Sequence, residues 1–303
     1  MKVSYLSDKK IQFSHWLREN PNDPVLLYLA KGLIRRFFTD DVGGSAVQMA
    51  YYILFSFFPF LIFANALAAF FQIPISQILG FLQHFLPREV VDMVSLYLLH
   101  LTSIRSPLLL VTGLVMAYYS LSRGVKYLIL ALHKAYRVHQ ERSLVVANMI
   151  SLFFTLTTFL SIVLTLVLAT LSARLLTGAW RLLHLPEAWL QYWDLLRFLG
   201  IGVTFFLLLA LLYYLVPSPR LPFRFALPGT GAALICILAA SAGFSFYVNN
   251  IASYSIIYGS IGTVIVFMIW LFMMGNIIVA GGEINHLLIL RHQHATEKRH
   301  PST

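Results

Sequence analysis

Hydrophobic residues along this chain gather into six long runs, roughly Ala46–Phe71, Pro107–Leu132, Leu144–Leu171, Leu195–Val216, Phe225–Val248 and Ile256–Gly282, with polar connections between them. A helix crosses a hydrocarbon core about 30 Å thick with about 20 residues, and each run reaches that length. In lipid every backbone N–H and C=O must be satisfied within the segment, so each run is expected to be a spanning helix. The second run is the weakest: its clean stretch is Leu108–Leu121, after which Ser122, Arg123, Gly124 and Lys126 intervene. Basic side chains near a helix end lift their charges to the interface, so the run still counts.

The charged positions orient the runs. With six crossings both termini share a side, and 17 of the 22 Lys and Arg residues fall on it. They lie in the N-terminal segment (Lys2 to Arg36), the second connection (Arg123, Lys126, Lys134, Arg137, Arg142), the fourth (Arg220, Arg224) and the tail (Arg291, Lys298, Arg299). Arg88, Arg105, Arg174, Arg181 and Arg197 lie on the other side, interspersed with Glu89, Asp92, Glu187 and Asp194. Basic loops stay in the cytoplasm, which predicts cytoplasmic termini in a bacterial inner membrane. The expected division is a cytoplasmic segment over residues 1–45, a membrane domain over 46–290 and a disordered cytoplasmic tail over 291–303.

Between the runs the pattern predicts further elements. Asp23-Pro24 reads as a helix cap and first position. The stretch Val25–Phe38 then places Leu26, Leu27, Leu29, Ala30, Leu33, Ile34 and Phe37 on one broad face, with Lys31, Arg35 and Arg36 elsewhere. That suits an N-terminal helix lying in the cytoplasmic interface; a helix packed under the bundle is the alternative. The connection Gln72–Ser106 is too long for a simple loop. Its periodic apolar residues, broken by Pro87, predict two amphipathic helices on the outer face, capping the bundle. Trp180, Trp189, Tyr192 and Trp193 mark the outer headgroup level. The short uncharged connection Asn249–Ser255 predicts a tight hairpin of the last two spans.

Composition agrees with a membrane protein: 59% of residues are hydrophobic and 11% charged, against about 25% charged in a soluble chain. A net charge of +10 at pH 7 raises nucleic acid as a partner. The charges are scattered in ones and twos along one rim, as topology alone requires, so the expected partners are the lipid bilayer and an unidentified small solute or lipid, not nucleic acid. The single cysteine, Cys236, allows no internal disulfide. Met1–Asn20 is polar, so the first span is expected to act as the insertion signal.

Catalytic motifs are sparse. The sequence contains no HExxH, CxxC or GxSxG and no glycine-rich phosphate loop, so no enzymatic activity and no cofactor are expected. His286, His292, His294 and His300 cluster near the C-terminus; a solvated tail explains them more simply than a metal site. Ionisable groups near the membrane are more informative because they are costly there. Asp40 and Asp41 precede span 1, Arg123 and Lys126 stand late in span 2, and Glu283 ends span 6. Ordinary interfacial pairing accounts for them, and a polar lining for a cytoplasm-facing cavity is the functional alternative. Pro59 removes a backbone hydrogen bond in mid-span 1, beside Gln48, Ser56 and Asn65. The expectation is a cavity reaching the level of Ser56, with Gln48 on its wall and Asp41 and Arg123 at its mouth. Asn148 and Asn276 are expected to bridge helices, and Glu283 is expected to pair with Arg123.

Several stretches resemble one family. DDVGGSAVQMAYYILFSFFPFLIFA, opening span 1, is similar to the acidic, small-residue, Ala-Tyr-Tyr, Phe-Pro start of the YihY/BrkB membrane proteins. YYSLSRGVKYLILALHKAYRV resembles their second-span exit, and YYLVPSPRLPFRFALPGTGAAL their Pro/Arg turn before span 5. SIIYGSIGTVIVFMIWLFMMGNIIVAGGEIN carries their Tyr-Gly-Ser, Trp and Gly-Gly-Glu elements, with Gly282 where the family often has Ala. The resemblance implies a six-span inner-membrane protein, usually described as a transporter or virulence-associated factor, with no established substrate. The family also carried the name ribonuclease BN, but no acidic metal cluster or His/Asp constellation stands in a polar segment of this chain. The reading is an all-α six-span bundle acting as a transporter or permease. The alternatives are a non-transporting scaffold or lipid-binding protein and, third, a membrane-anchored RNA-processing enzyme.

Overall fold

The structure is a computed structural model and describes residues 20, 22–39, 42–71, 75–83, 86–100, 106–137, 148–164, 188–217, 222–250 and 260–299. Asp40, Asp41, Trp180 and the connection 251–255 lie outside the described residues, as do the side chains of Trp189, Tyr192 and Trp193. Every regular element among the described residues is helical: α1 (Val25–Thr39), α2 (Val42–Phe71), α3 (Ile75–Leu82), α4 (Arg88–His100), α5 (Pro107–Ala135), α6 (Asn148–Leu164), α7 (Ala188–Leu215), a 3-10 turn (Phe223–Phe225), α8 (Leu227–Asn250) and α9 (Ser260–Arg299). Four helices are long and apolar enough to cross a membrane, over Val42–Ala69, Pro107–Ala135, Phe223–Val248 and Ile261–Thr296. Shorter apolar helices occupy the third and fourth runs, at Asn148–Leu164 and Leu199–Leu215.

Glycines decide which helices touch. On α5, a β-carbon at Gly113 would stand 2.9 Å from the backbone nitrogen of Phe63, and one at Gly124 would stand 3.0 Å from the Ile53 side chain. α5 therefore lies directly on the backbone of α2, the close-packing use of small residues in membrane helices. α2 runs unbroken through Pro59. The carbonyl of Pro59 faces Gly113, where a β-carbon would come within 3.2 Å. The first turn of α5 is closed by Ser106, whose hydroxyl accepts from the Leu109 N–H at 3.4 Å, with Pro107 at the first helical position.

The last helix is the hub. Gly275 meets Ala46 and Met49 of α2, Gly282 meets Leu132 of α5, and Gly281 abuts Gly229 of α8 so closely that neither tolerates a β-carbon. At that crossing the residue that caps the start of α8 is Ala226, which has no side chain able to accept from the first turn. Buried Asn285 of α9 does so instead. Its Oδ1 accepts from the Gly229 N–H at 2.7 Å and its Nδ2 donates to the Ala226 carbonyl at 3.1 Å. Asn285→Ala is expected to strand that buried N–H and cost about 1–3 kcal/mol, read as a lowered melting temperature of purified protein in detergent. An unchanged melt would remove the cap from the account.

α9 continues to Arg299, so the expected disordered tail from residue 291 is instead helical. The segment RHQHATEKR contains no glycine or proline and good helix formers. It is also tethered. The Arg291 guanidinium lies 5.6 Å from the Tyr28 ring, and the ring of His292 lies 5.4 Å from that of Phe225.

α1 packs antiparallel on this part of α9. Tyr28, Gly32 and Arg36, four residues apart, meet Arg291, Leu287 and Glu283 in reverse order. The side of α1 that packs on α9 is thus the Tyr28–Gly32–Arg36 side, and Leu26, Ile34 and Phe37 of the apolar face remain exposed. α3 and α4 also depart from the expected cap. Val90 of α4 joins Ala50, Phe267 and Leu271 in one cluster, with Leu86, Ile53, Leu54 and Phe57 against it. Val94 and Leu98 meet Leu61 of α2 and Leu79 and Leu82 of α3. The hairpin therefore leans into the flank of the bundle, its tip about midway along α2, because its apolar positions find the α2–α9 groove rather than the bundle's end.

Candidate functional site

Two groups of polar side chains stand at membrane depth or just beyond it. The first is at the basic end, where α1, α5 and α9 converge. Arg36 and Glu283 have 0% and 1% of their side chains exposed, and one guanidinium nitrogen, Nη1, lies 2.9 Å from Glu283 Oε2. The same Nη1 lies 2.8 Å from His286 Nδ1, which in turn lies 2.8 Å from the Ala135 carbonyl oxygen. α5 ends there with Arg137 in the left-handed region (φ 52°), and the Tyr136 ring just before it lies 5.8 Å from the imidazole. Beside it a small cleft lined by Tyr136, Tyr213, Tyr214, Pro222, Phe225, Ala226 and Ile289 has a volume of about 10 Å³, enough for one water. The Tyr213 hydroxyl donates to the Ile278 carbonyl at 2.5 Å, tying α7 to α9.

Glu283 therefore pairs with Arg36, not with the expected Arg123. Arg123 is exposed and donates to the Tyr119 hydroxyl at 3.0 Å on its own helix, its guanidinium 5.4 Å from that ring. The reason is geometric: Gly282 brings α9 against Leu132, about two and a half turns beyond Arg123 and so on the other side of α5, and α1 packs on α9 at Glu283.

The second group is at the α3–α4 tip. Arg88 and Asp92 are exposed on α4, Arg88 two residues from Val90 and so about midway along α2. The other sequence candidates scatter. Gln48 and Lys126 are exposed on α2 and α5. Ser56 is buried, and its hydroxyl donates to the Ile53 carbonyl at 2.7 Å on its own helix. Pro59 faces Gly113. Asn276 donates to the Phe272 carbonyl at 2.8 Å, and its Oδ1 is buried without a hydrogen bond among the described residues. No three His, Cys, Asp or Glu side chains converge among the described residues. Arg36, His286, Asn285 and Arg88 were missed as site residues. The spacing of Glu283 and His286, one helical turn apart on α9, was the available signal for the first cluster.

The family model described as Virulence factor BrkB matches residues 33–303. The chain belongs to that family. This BrkB-family chain is 31% identical over 258 residues to a Bacillus subtilis (strain 168) protein named "Putative ribonuclease-like protein YfkH", covering 85% of this chain and 94% of that one. It is 34% identical over 113 residues to a UPF0761 membrane protein of Chromohalobacter salexigens, covering 37% of this chain and 26% of that one. It is 30% identical over 104 residues to the UPF0761 membrane protein YihY of Salmonella newport (strain SL254), covering 34% and 30%. No solved structure matches the chain. Family and helices together make it an integral membrane protein.

Proposed function

We propose that this BrkB-family protein is a transporter or permease of the bacterial inner membrane, without enzymatic activity, with six crossing helices and both termini in the cytoplasm. The observation that carries the reading is the exposed Arg88 at the tip of a hairpin half-way along α2. A charge at that depth is costly against lipid and is found where water reaches it. Broken helices at mid-membrane likewise belong where backbone lines a protein-walled cavity. The route runs from the cytoplasm past Gln48 toward the level of Ser56 and Pro59. Its substrate is a small solute or a lipid.

The test is single cysteines at Gln48, Ser56 and Arg88 in a Cys236→Ala background, challenged with a charged thiol reagent from each side. Labelling at all three, with Leu152→Cys and Leu156→Cys inert, is the expected result, accompanied by solute flux in proteoliposomes. Inert thiols at Gln48 and Arg88 would defeat it and favour a scaffold or lipid-binding protein. That second reading draws on the one-water cleft at the basic end and on the exposed apolar face of α1. The name of the Bacillus subtilis relative suggests a third, RNA processing; among the described residues no three His, Cys, Asp or Glu side chains converge to support it.

A further inference from the structure

The outward stripe of α5 changes character part-way along. Leu108, Val111, Val115 and Met116 are exposed and apolar, and Tyr119, Arg123 and Lys126 follow on the same stripe. Leu130, one turn past Lys126, is exposed and apolar again. The two cations therefore lie inside the apolar boundary that the helix itself marks. A basic side chain at such a level ordinarily reaches outward to the headgroups. Arg123 does the opposite. Its guanidinium turns back one turn toward the middle of the helix, donates to the Tyr119 hydroxyl at 3.0 Å and lies 5.4 Å from that ring. Neither Arg123 nor Lys126 has a carboxylate partner among the described residues. We propose that Arg123 and Lys126 bind the phosphate of an anionic phospholipid in the seam between α2 and α5. Binding there requires no transport.

The seam supplies the rest of such a site. α2 and α5 run antiparallel, and Gly124 brings them together at Ile53. On the α2 side Tyr51 and Phe55 are exposed, their rings 5.5 Å apart. Tyr52 of α2 and Tyr127 of α5 stack across the seam at 5.0 Å, both within the field of Arg123, and Tyr51 meets Tyr52 edge-on at 5.2 Å. Tyrosine suits the level where headgroup meets acyl chain, being apolar in body and hydrogen-bonding at the tip. Tyr119 holds one Arg123 nitrogen, Nη2, which leaves Nη1 and Nε of the fork to an oxyanion. Arg123 lies about 22 Å along α5 from Leu108, and an unneutralised charge at that level of a core about 30 Å thick is costly. A phosphate drawn in from the headgroups offsets it. The acyl chains below that phosphate run over Val115, Met116, Phe55 and Phe58, all exposed. A soluble phosphate ester has nothing to lay on that apolar surface, so the occupant is a lipid.

The experiment uses the full chain, stripped of lipid in detergent, with phosphatidylglycerol or phosphatidylcholine added and bound lipid counted by native mass spectrometry. One phosphatidylglycerol held in preference to phosphatidylcholine is expected. Arg123→Gln with Lys126→Gln should weaken phosphatidylglycerol binding about 25-fold, about 5-fold for each basic group lost at an anionic headgroup, and leave phosphatidylcholine unchanged. Arg35→Gln with Lys134→Gln removes the same charge from exposed positions elsewhere at the basic end and should bind as the wild type does. Equal retention of the two lipids by the wild type would reduce the site to ordinary annular lipid and overturn the proposal. So would a control pair that weakens binding as much as the seam pair. Displacement of the lipid by an equal concentration of glycerol phosphate, which carries the phosphate without the chains, overturns it as well. Should the seam pair fail to accumulate, Tyr119→Phe keeps every charge but frees the guanidinium to turn outward, and it too must lower the preference.

Discussion

Glu283→Ala is expected to destabilise the protein by about 3–5 kcal/mol, the range for removing one partner of a buried ion pair. Arg36 is fully buried and would lose the Glu283 carboxylate beside it. The loss should be measured as denaturation of purified protein in a mild detergent. The double replacement Arg36→Met with Glu283→Leu should recover most of it, because two well-packed apolar side chains replace a buried pair at little net cost. Arg123→Ala should leave the melt unchanged, its guanidinium being exposed and bound only to its own helix among the contacts described. A Glu283→Ala melt as mild as that of Arg123→Ala would remove the pair from the core of the fold.

Gly229→Ala should be worse tolerated than its chemistry suggests. The added methyl would fall on the Gly281 carbonyl of α9 and within 2.6 Å of Asn285. Both obstacles sit on rigid helix backbone or on a side chain already holding two hydrogen bonds. The cost should exceed the 1–3 kcal/mol typical of overpacking, and failure to accumulate in membranes is the expected result. Gly231→Ala, two residues on, meets nothing within 4 Å and should be neutral or stabilise by about 0.4–1 kcal/mol. Equal expression of the two variants would mean that α8 and α9 are not in contact at Gly281.

The long apolar runs were legible because hydropathy and length are local properties: α2, α5, α8 and α9 begin and end within a few residues of the runs that announced them, apart from the extension of α9. What a face of a helix meets is not local. Periodicity picked out Leu26, Ile34 and Phe37 as the apolar side of α1, yet Tyr28, Gly32 and Arg36 are the side that packs. A buried arginine flanked by a glycine reads as polar in any one-dimensional scan, and its partners lie more than 240 positions away. The assignment of Glu283 to Arg123 failed in the same way, since depth along a helix does not say which neighbour lies alongside. Asn285 escaped notice because a cap supplied by another helix leaves no mark in the sequence around Ala226.

α9 is continuous over 40 residues, and at 1.5 Å per residue it is about 60 Å long, about twice the thickness of a hydrocarbon core. It is therefore a lever as well as a wall. From Glu283 to Arg299 roughly 24 Å of rod projects beyond the ion pair, so a tilt of about 10° within the bilayer swings its end by about 4 Å. The fulcrum lies where Gly275, Gly281 and Gly282 let neighbouring helices grip the rod. Any rearrangement around Phe267 or Leu271 would reach the C-terminal end as displacement, and a load applied there would reach the α3–α4 tip by the same geometry.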